Sequence, residues 1–187
     1  MIRPATPADR PRIVETLVAA FAADPVLRFQ FPDDETYPAS GGAFFGALFD
    51  KRVVRDAVWV ADDGAAVAMW DPAGSTGSSD LSALSPDELD RVNEYDHAVH
   101  GALPDESFWY LGVLGTHPDA VGRGLGRAVM RPGIERADAE GLPCVLETSN
   151  PANLDFYGRD GWEPVGDIDR PVRTWILRRP MSTRDGS

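Results

Sequence analysis

The 187-residue chain holds one cysteine (Cys144), one lysine (Lys51) and three histidines. A lone cysteine excludes an internal disulfide and any multi-cysteine zinc site, and it fits a reducing, cytoplasmic setting. His97, His100 and His117 show no regular ligand spacing, so no metal site is expected. No window approaches the roughly 20 apolar residues of a membrane helix, and the stretch from Met1 to Pro7 lacks a signal-peptide core. Basic residues are scarce: 18 Lys+Arg against 30 Asp+Glu give a formal net charge of -12. Such a surface repels nucleic-acid phosphates and draws in cationic small molecules. What remains, with 43% hydrophobic and 26% charged residues, is the composition of one globular domain, assigned to residues 1–187.

Charge is unevenly placed. Eight acids lie between Asp80 and Glu106, offset by Arg91 alone. Between Arg123 and Arg136 the balance reverses, with four arginines against Glu135, so an anion can bind there despite the net charge.

Thr6, Pro7 and Asp9 form a helix start with an acidic capping box, and Ile13, Val14, Leu17, Val18 and Phe21 follow at helical spacing until Asp24-Pro25. Phe29 to Pro32 reads as an aromatic loop, and a second helix is expected over 42–53. Two β-rich runs around Asp62-Asp63-Gly64 predict a hairpin. A Pro/Gly/Ser loop over 71–79 then precedes an acidic helix over 86–97. Strand 108–115, helix 124–140, strand 143–148, a short helix after Asn150 and two closing strands complete a mixed α/β sheet. Pro132-Gly133 inside the longest late helix should bend it.

Gly122-Arg123-Gly124-Leu125-Gly126-Arg127 lies between a strand and a helix, where glycine amides and a helix N-terminus can close on a phosphate. The alternative is a purely structural turn. The dinucleotide fingerprint fails because Arg127 stands where its third glycine belongs. The nucleotide-hydrolase loop fails because Lys51 is the only lysine.

The run Trp109 to Gly115, the glycine turn, Leu146 to Asn150, Asn153, Phe156-Tyr157 and Gly161-Trp162 together resemble the GNAT acyltransferase superfamily. More narrowly they resemble the puromycin-type N-acetyltransferases. The resemblance implies a mostly antiparallel sheet of six to seven strands flanked by helices, with a splay between two central parallel strands. It implies acetyl-CoA as co-substrate, with pyrophosphate on the backbone of Val121, Gly122, Arg123, Gly124, Leu125, Gly126 and Arg127. Leu114, Gly115 and Thr116 would bond the pantetheine arm, the Leu114 amide facing the thioester oxygen, and Asn153 would touch the cofactor. Val121 departs from the usual Gln or Arg at the turn's start, with Arg123, Arg127 and Arg131 either compensating or forming a solvated face.

In the same resemblance Tyr157 protonates the departing thiolate. A phenol near 10 can do so, and it would lose activity on the alkaline side. Glu147 at a strand end is the first candidate base, with Glu94, Tyr95, His97 or a water relay as alternatives. Phe29, Phe31, Tyr37, Trp70 and Trp109 are core candidates, of which Phe31 and Trp70, together with Tyr95, are assigned to wall the substrate. Cys144, in an apolar strand without a histidine nearby, reads as structural. The implied activity is transfer of acetyl to the primary amine of a small molecule, possible acceptors including an aminonucleoside antibiotic. The alternatives are a protein or peptide N-acetyltransferase, or a CoA- or drug-binding protein without turnover.

Overall fold

The computed structural model describes residues 1–182. In chain order it contains β1 (Ile2–Pro4), α1 (Arg10–Ala20), α2 (Pro25–Gln30), α3 (Tyr37–Val53), β2 (Val58–Ala61), β3 (Ala66–Asp71) and α4 (Pro86–His100). There follow β4 (Trp109–Thr116), α5 (Leu125–Ala139), β5 (Cys144–Thr148), α6 (Ala152–Gly158), β6 (Glu163–Ile168) and β7 (Thr174–Arg179). The strands form one seven-stranded sheet in the order β1-β2-β3-β4-β5-β7-β6. Every neighbouring pair is antiparallel except β4–β5.

Local chemistry explains most boundaries. The Thr6 amide donates to the Asp9 carboxylate at 2.7 Å, closing a 3-10 turn over Pro7–Asp9 before α1. Asp24 does more than stop α1: its carboxylate accepts from the amides of Val26 and Leu27 at 2.9 and 3.1 Å and starts α2. The residues read as the beginning of an aromatic loop are thus the last turn of a helix. Ser85 and Glu88 form the box that opens α4, which runs to His100. The chain also pairs Ile2–Pro4 with β2, a strand too short to leave a period in the sequence.

Alternation divides the core in two. Ile13, Leu17, Phe45, Phe49 and Val92 cover one face through β2 and β3 valines, beneath α1 to α4. Trp70, Trp109, Met130, Leu146 and Leu177 fill the other face beneath α5 and α6. A bulge separates the parities on β4: Met69 opposes Val113 and Trp70 opposes Leu111, leaving Gly112 unmatched. Trp109 and Leu111 therefore face α5, whereas Val113 faces the other layer.

Two assignments to the substrate wall are corrected here. Phe31 is 1% exposed and packs at 5.5 Å from Phe44 within the first core. Trp70 is fully buried, its indole edge-on to Trp109 and pressed against α5. The helix runs on through Pro132, and a Cβ on Gly133 would lie 2.3 Å from the Trp70 indole. Glycine at that position is therefore what lets α5 reach the sheet.

Gly133→Ala should lower unfolding free energy in urea by about 1–3 kcal/mol, the usual size of an overpacking penalty, although alanine favours helix. Combining it with Trp70→Phe should recover part of the loss. A Gly133→Ala protein as stable as wild type would mean that the contact yields freely.

Candidate active site

β4 and β5 pair only through Trp109–Cys144 and Tyr110–Val145. Beyond those residues they part, β4 held by β3 as far as Thr116 and β5 held by β7 as far as Thr148. The gap opens into a cavity of about 1120 Å³ that reaches α2, α3, α4 and the loop over 71–82. Leu114, Glu147, Asn153 and Tyr157 line it, as does Tyr95. Ser149 lines it too, with its hydroxyl buried and without a hydrogen-bond partner among the described residues.

Glu147 shares its face of β5 with Val145, toward α1 to α4. Its Oε2 accepts a short hydrogen bond from the Tyr110 hydroxyl. Loss of water pushes the Glu147 carboxyl up to about 7, against the lowering pull of that hydrogen bond, and the Asp96 charge raises it further. Burial raises the phenols of Tyr110 and Tyr95 above their ordinary range, with the Glu147 charge adding to both. Tyr110 had escaped sequence reasoning. The available signal was strand alternation, which sets Tyr110 opposite in facing to the buried Trp109.

Tyr157 reaches the gap from the other layer. It is 7% exposed and packs edge-on to Phe156 and Trp162, with ring centroids 5.0 and 5.9 Å away. Burial first, and then the Glu147 charge, raises its phenol above the ordinary value. A phenol raised in this way holds its proton to higher pH than an ordinary tyrosine. On the same helix, the Asn153 side chain donates to the Thr148 hydroxyl at 3.1 Å, and Asn150 receives the Ala152 amide at 3.1 Å.

The glycine turn stands at the end of β4, before α5. Gly122 and Gly124 have φ of 86° and 74°, conformations that favour glycine, and nothing lies within 4 Å of a Cβ built on either. The open backbone leads into the N-terminus of a 15-residue helix with Gly124 as its cap. Val121 is 68% exposed and offers no polar group. Arg123 pairs with Asp62 at 2.7 Å, and Arg127 pairs with Asp160 at 2.7 Å while lying over the Phe156 ring. These two arginines brace the turn from either side, each already engaged with a carboxylate.

Beneath the bulge, Arg52 is 5% exposed and bonds to Asp71, whose other oxygen lies 3.1 Å from Lys51. A Cβ on Gly112 would meet the Arg52 guanidinium at 2.6 Å, so glycine at the bulge admits this pair. Burial lifts the Cys144 thiol to about 12, which makes it inert. Among the described residues no cluster of His, Cys, Asp and Glu could hold a metal ion, and no helix is long and apolar enough to cross a membrane.

Among the described residues, β4 and β5 are the only parallel pair, and their gap lies beside an open glycine turn at a helix start. Residues 23–162 match the Acetyltransferase (GNAT) family, and the chain belongs to that family of acetyltransferases. A related sequence, an uncharacterized N-acetyltransferase of Schizosaccharomyces pombe, is 24% identical over 174 residues, covering 82% of this chain and 70% of the relative. Among solved structures, a histone acetyltransferase HPA2 and related acetyltransferase of Corynebacterium glutamicum superposes with a TM-score of 0.71 at 27% identity, covering 100% of this chain and 98% of that one. The PaiA N-acetyltransferase of Thermoplasma acidophilum, solved in complex with coenzyme A, gives 0.61 at 13% identity, with 96% and 98% coverage. The family uses acetyl-CoA as its acyl donor. The open turn and the unpaired edge of β4 fit that donor: one offers amides to phosphate, the other offers strand-like bonds to an amide-bearing arm.

The raised Glu147 carboxyl has a consequence for stability. Its folded value lies above the ordinary 4.5, so the native state holds a proton that the unfolded chain releases. Stability should therefore fall as pH rises from about 4.5 to about 7 and stay reduced above that. Glu147→Gln keeps an acceptor for Tyr110 without the charge. Relative to wild type it should gain stability across that window, by up to about 3 kcal/mol in urea titrations. A difference that does not vary between pH 5 and pH 8 would mean that Glu147 ionises as easily folded as unfolded.

Proposed function

We propose that the chain is one acetyltransferase domain moving the acetyl group of acetyl-CoA directly onto the primary amine of a small molecule. The observation that carries this reading is the approach of Glu147 and Tyr157 to one gap from opposite layers of the sheet. Glu147, as carboxylate, takes the proton that the amine nitrogen sheds as it bonds to the thioester carbonyl. The Leu114 amide, on β4 beside the gap, is assigned to the oxygen where negative charge develops. Tyr157 gives its proton to the sulfur as the carbon–sulfur bond breaks. Gly115 and Thr116 continue the edge that receives the pantetheine arm. The backbone from Val121 to Arg127 takes the pyrophosphate, and Asn153 lies alongside.

A cavity walled by α2, α3, α4 and the 71–82 loop suits a small acceptor better than a peptide tail. Its aromatic lining, including Phe44, Phe45, Phe108 and Tyr110, supports an acceptor with an apolar or aromatic body, and an aminonucleoside such as puromycin is one such molecule. The direct test is thiol release from acetyl-CoA with a panel of small primary amines, puromycin and a basic peptide. Turnover of the peptide alone would overturn the small-molecule reading.

Tyr157→Phe keeps the ring and its packing, so kcat should fall by roughly 10²–10⁴ while acetyl-CoA affinity stays near wild type. Unchanged kcat where chemistry limits turnover would return Tyr157 to the core. With Glu147 as base, the wild-type rate should rise with pH through about 7 and then level off, and Glu147→Gln should lack that rise. Gly124→Glu places a strained, like-charged side chain on the phosphate and should abolish acetyl-CoA binding in calorimetry. Intact affinity in the folded variant would move the cofactor site elsewhere.

A further inference from the structure

Five side chains from four elements act on Glu147, and one of them touches it. Asp96 of α4 and Arg52 of α3 act on its carboxyl through their charges. Tyr95 of α4 and Tyr157 of α6 in turn feel its own charge. Ile176, its register partner on β7, is apolar and fully buried. The Arg52 guanidinium is already engaged by Asp71 and by the Leu48 carbonyl, the latter at 3.2 Å. Among the described residues, the Tyr110 hydroxyl is the side-chain donor to this carboxylate, and it binds Oε2.

The donor comes from a firmly held position. Among the described residues, Tyr110 is the one residue of β4 paired on both sides, with Asp71 of β3 and Val145 of β5. Asp71 is itself clamped by Arg52 and Lys51. The Tyr110 ring packs against the first core, with its centroid 6.3 Å from that of Phe108. Two residues later β4 bulges at Gly112, and β5 is no longer its partner. Glu147 stands two residues beyond Val145, on the same face of β5. The hydrogen bond therefore crosses the fork of the sheet at its root, from the last doubly paired residue to a side chain in the gap.

We propose that Tyr110 is the positioning residue for the base: its hydroxyl holds one Glu147 oxygen so that the other is turned toward the acceptor amine. The terminal torsion of a glutamate is broad, so an untethered carboxylate would sample orientations that aim neither oxygen at the nitrogen. The chemistry of the donor matters as well. An arginine or lysine in this place would also hold the carboxylate, but its charge would drag the carboxyl down and strip it of basicity. A neutral hydroxyl orients the group with a smaller loss. Burial raises the Tyr110 phenol well above its ordinary value, far past the Glu147 carboxyl at about 7, so the proton between them belongs to the phenol. The proton shed by the amine then goes to the second Glu147 oxygen, and Tyr110 neither gains nor loses one. This inference rests on the reading of Glu147 as the base of acetyl transfer.

Tyr110→Phe keeps the ring and removes the hydroxyl. With acetyl-CoA and the small amine that the wild type turns over best, plateau kcat should fall by about tenfold or more. The rise of rate with pH should move upward by about one pH unit, because a hydrogen bond that lowered the carboxyl is gone. KM for the amine and affinity for acetyl-CoA should stay near wild type. Added to Glu147→Gln, the same change should lower kcat by no more than about twofold, since no base is left to orient. Equal losses in the two backgrounds, or a wild-type plateau and pH profile in Tyr110→Phe, would overturn the positioning role and leave acetyl transfer standing. Urea unfolding against pH supplies a readout without turnover. Wild-type stability should fall as pH rises from about 4.5 to about 7, and in Tyr110→Phe the fall should continue to higher pH, the folded carboxyl being raised further. That extension in a protein that releases no thiol with any amine would confirm the hydrogen bond and overturn the transfer reading, and with it the base that Tyr110 serves.

Discussion

Two parallel strands that pair for two residues and then separate set the terms for everything around them. Past Tyr110 and Val145, β4 and β5 face each other as two strand edges with no strand between. Buried backbone groups in that position demand partners. The parting survives because each strand is gripped from its outer side, β4 by β3 and β5 by β7. The bulge at Gly112 is the second half of the device. It changes which residues face which layer just where the strands diverge, so Val113 enters one core while Leu114 packs against the other. The buried Arg52–Asp71 pair fits beneath it only because position 112 has no side chain.

Electrostatically the gap is arranged for chemistry at some cost to stability. Glu147 sits among three phenols without a cation at bonding distance, an arrangement that selection for stability alone would remove. Each phenol is raised chiefly by burial, with the carboxylate charge adding to it, and the carboxylate keeps its basicity because water is excluded. The same desolvation acts on a phenol and a carboxylate within one cavity, as the acid and base roles proposed for Tyr157 and Glu147 require, and the Tyr110 hydroxyl donates to that carboxylate.

Much of this was legible in the residues. The hairpin at Asp62-Asp63-Gly64, the central strand, the glycine turn and the short helix after Asn150 carry signals in a few adjacent positions, and the structure has all of them. The losses have specific causes. Ile2–Pro4 is a strand through its partner β2, not through any pattern of its own. The helix Pro25–Gln30 has too few residues to show a period, and its aromatic end looked like a loop. Trp70 and Tyr110 required knowledge of which layer each side chain enters, which depends on a bulge formed between distant segments. Phe31 shows the same limit: hydrophobicity marks a residue for burial without saying whether a ligand or the protein will cover it. For Glu147 the strand end could be read, but its environment could not, since Tyr110, Asp96 and Arg52 converge on it from three elements.

Lys51 gives the cavity a further property. Thioesters acetylate free amines without any catalyst, and an enzyme that concentrates one beside a bed of basic side chains would modify itself. This protein has a single lysine, and that lysine is mostly covered, with its ammonium 3.1 Å from the Asp71 carboxylate. Arginine supplies nearly all the remaining positive charge and is never deprotonated under such conditions. The chain thus presents its own donor with almost no competing lysine nucleophile, and its resistance to self-modification is written in its composition as much as in its fold.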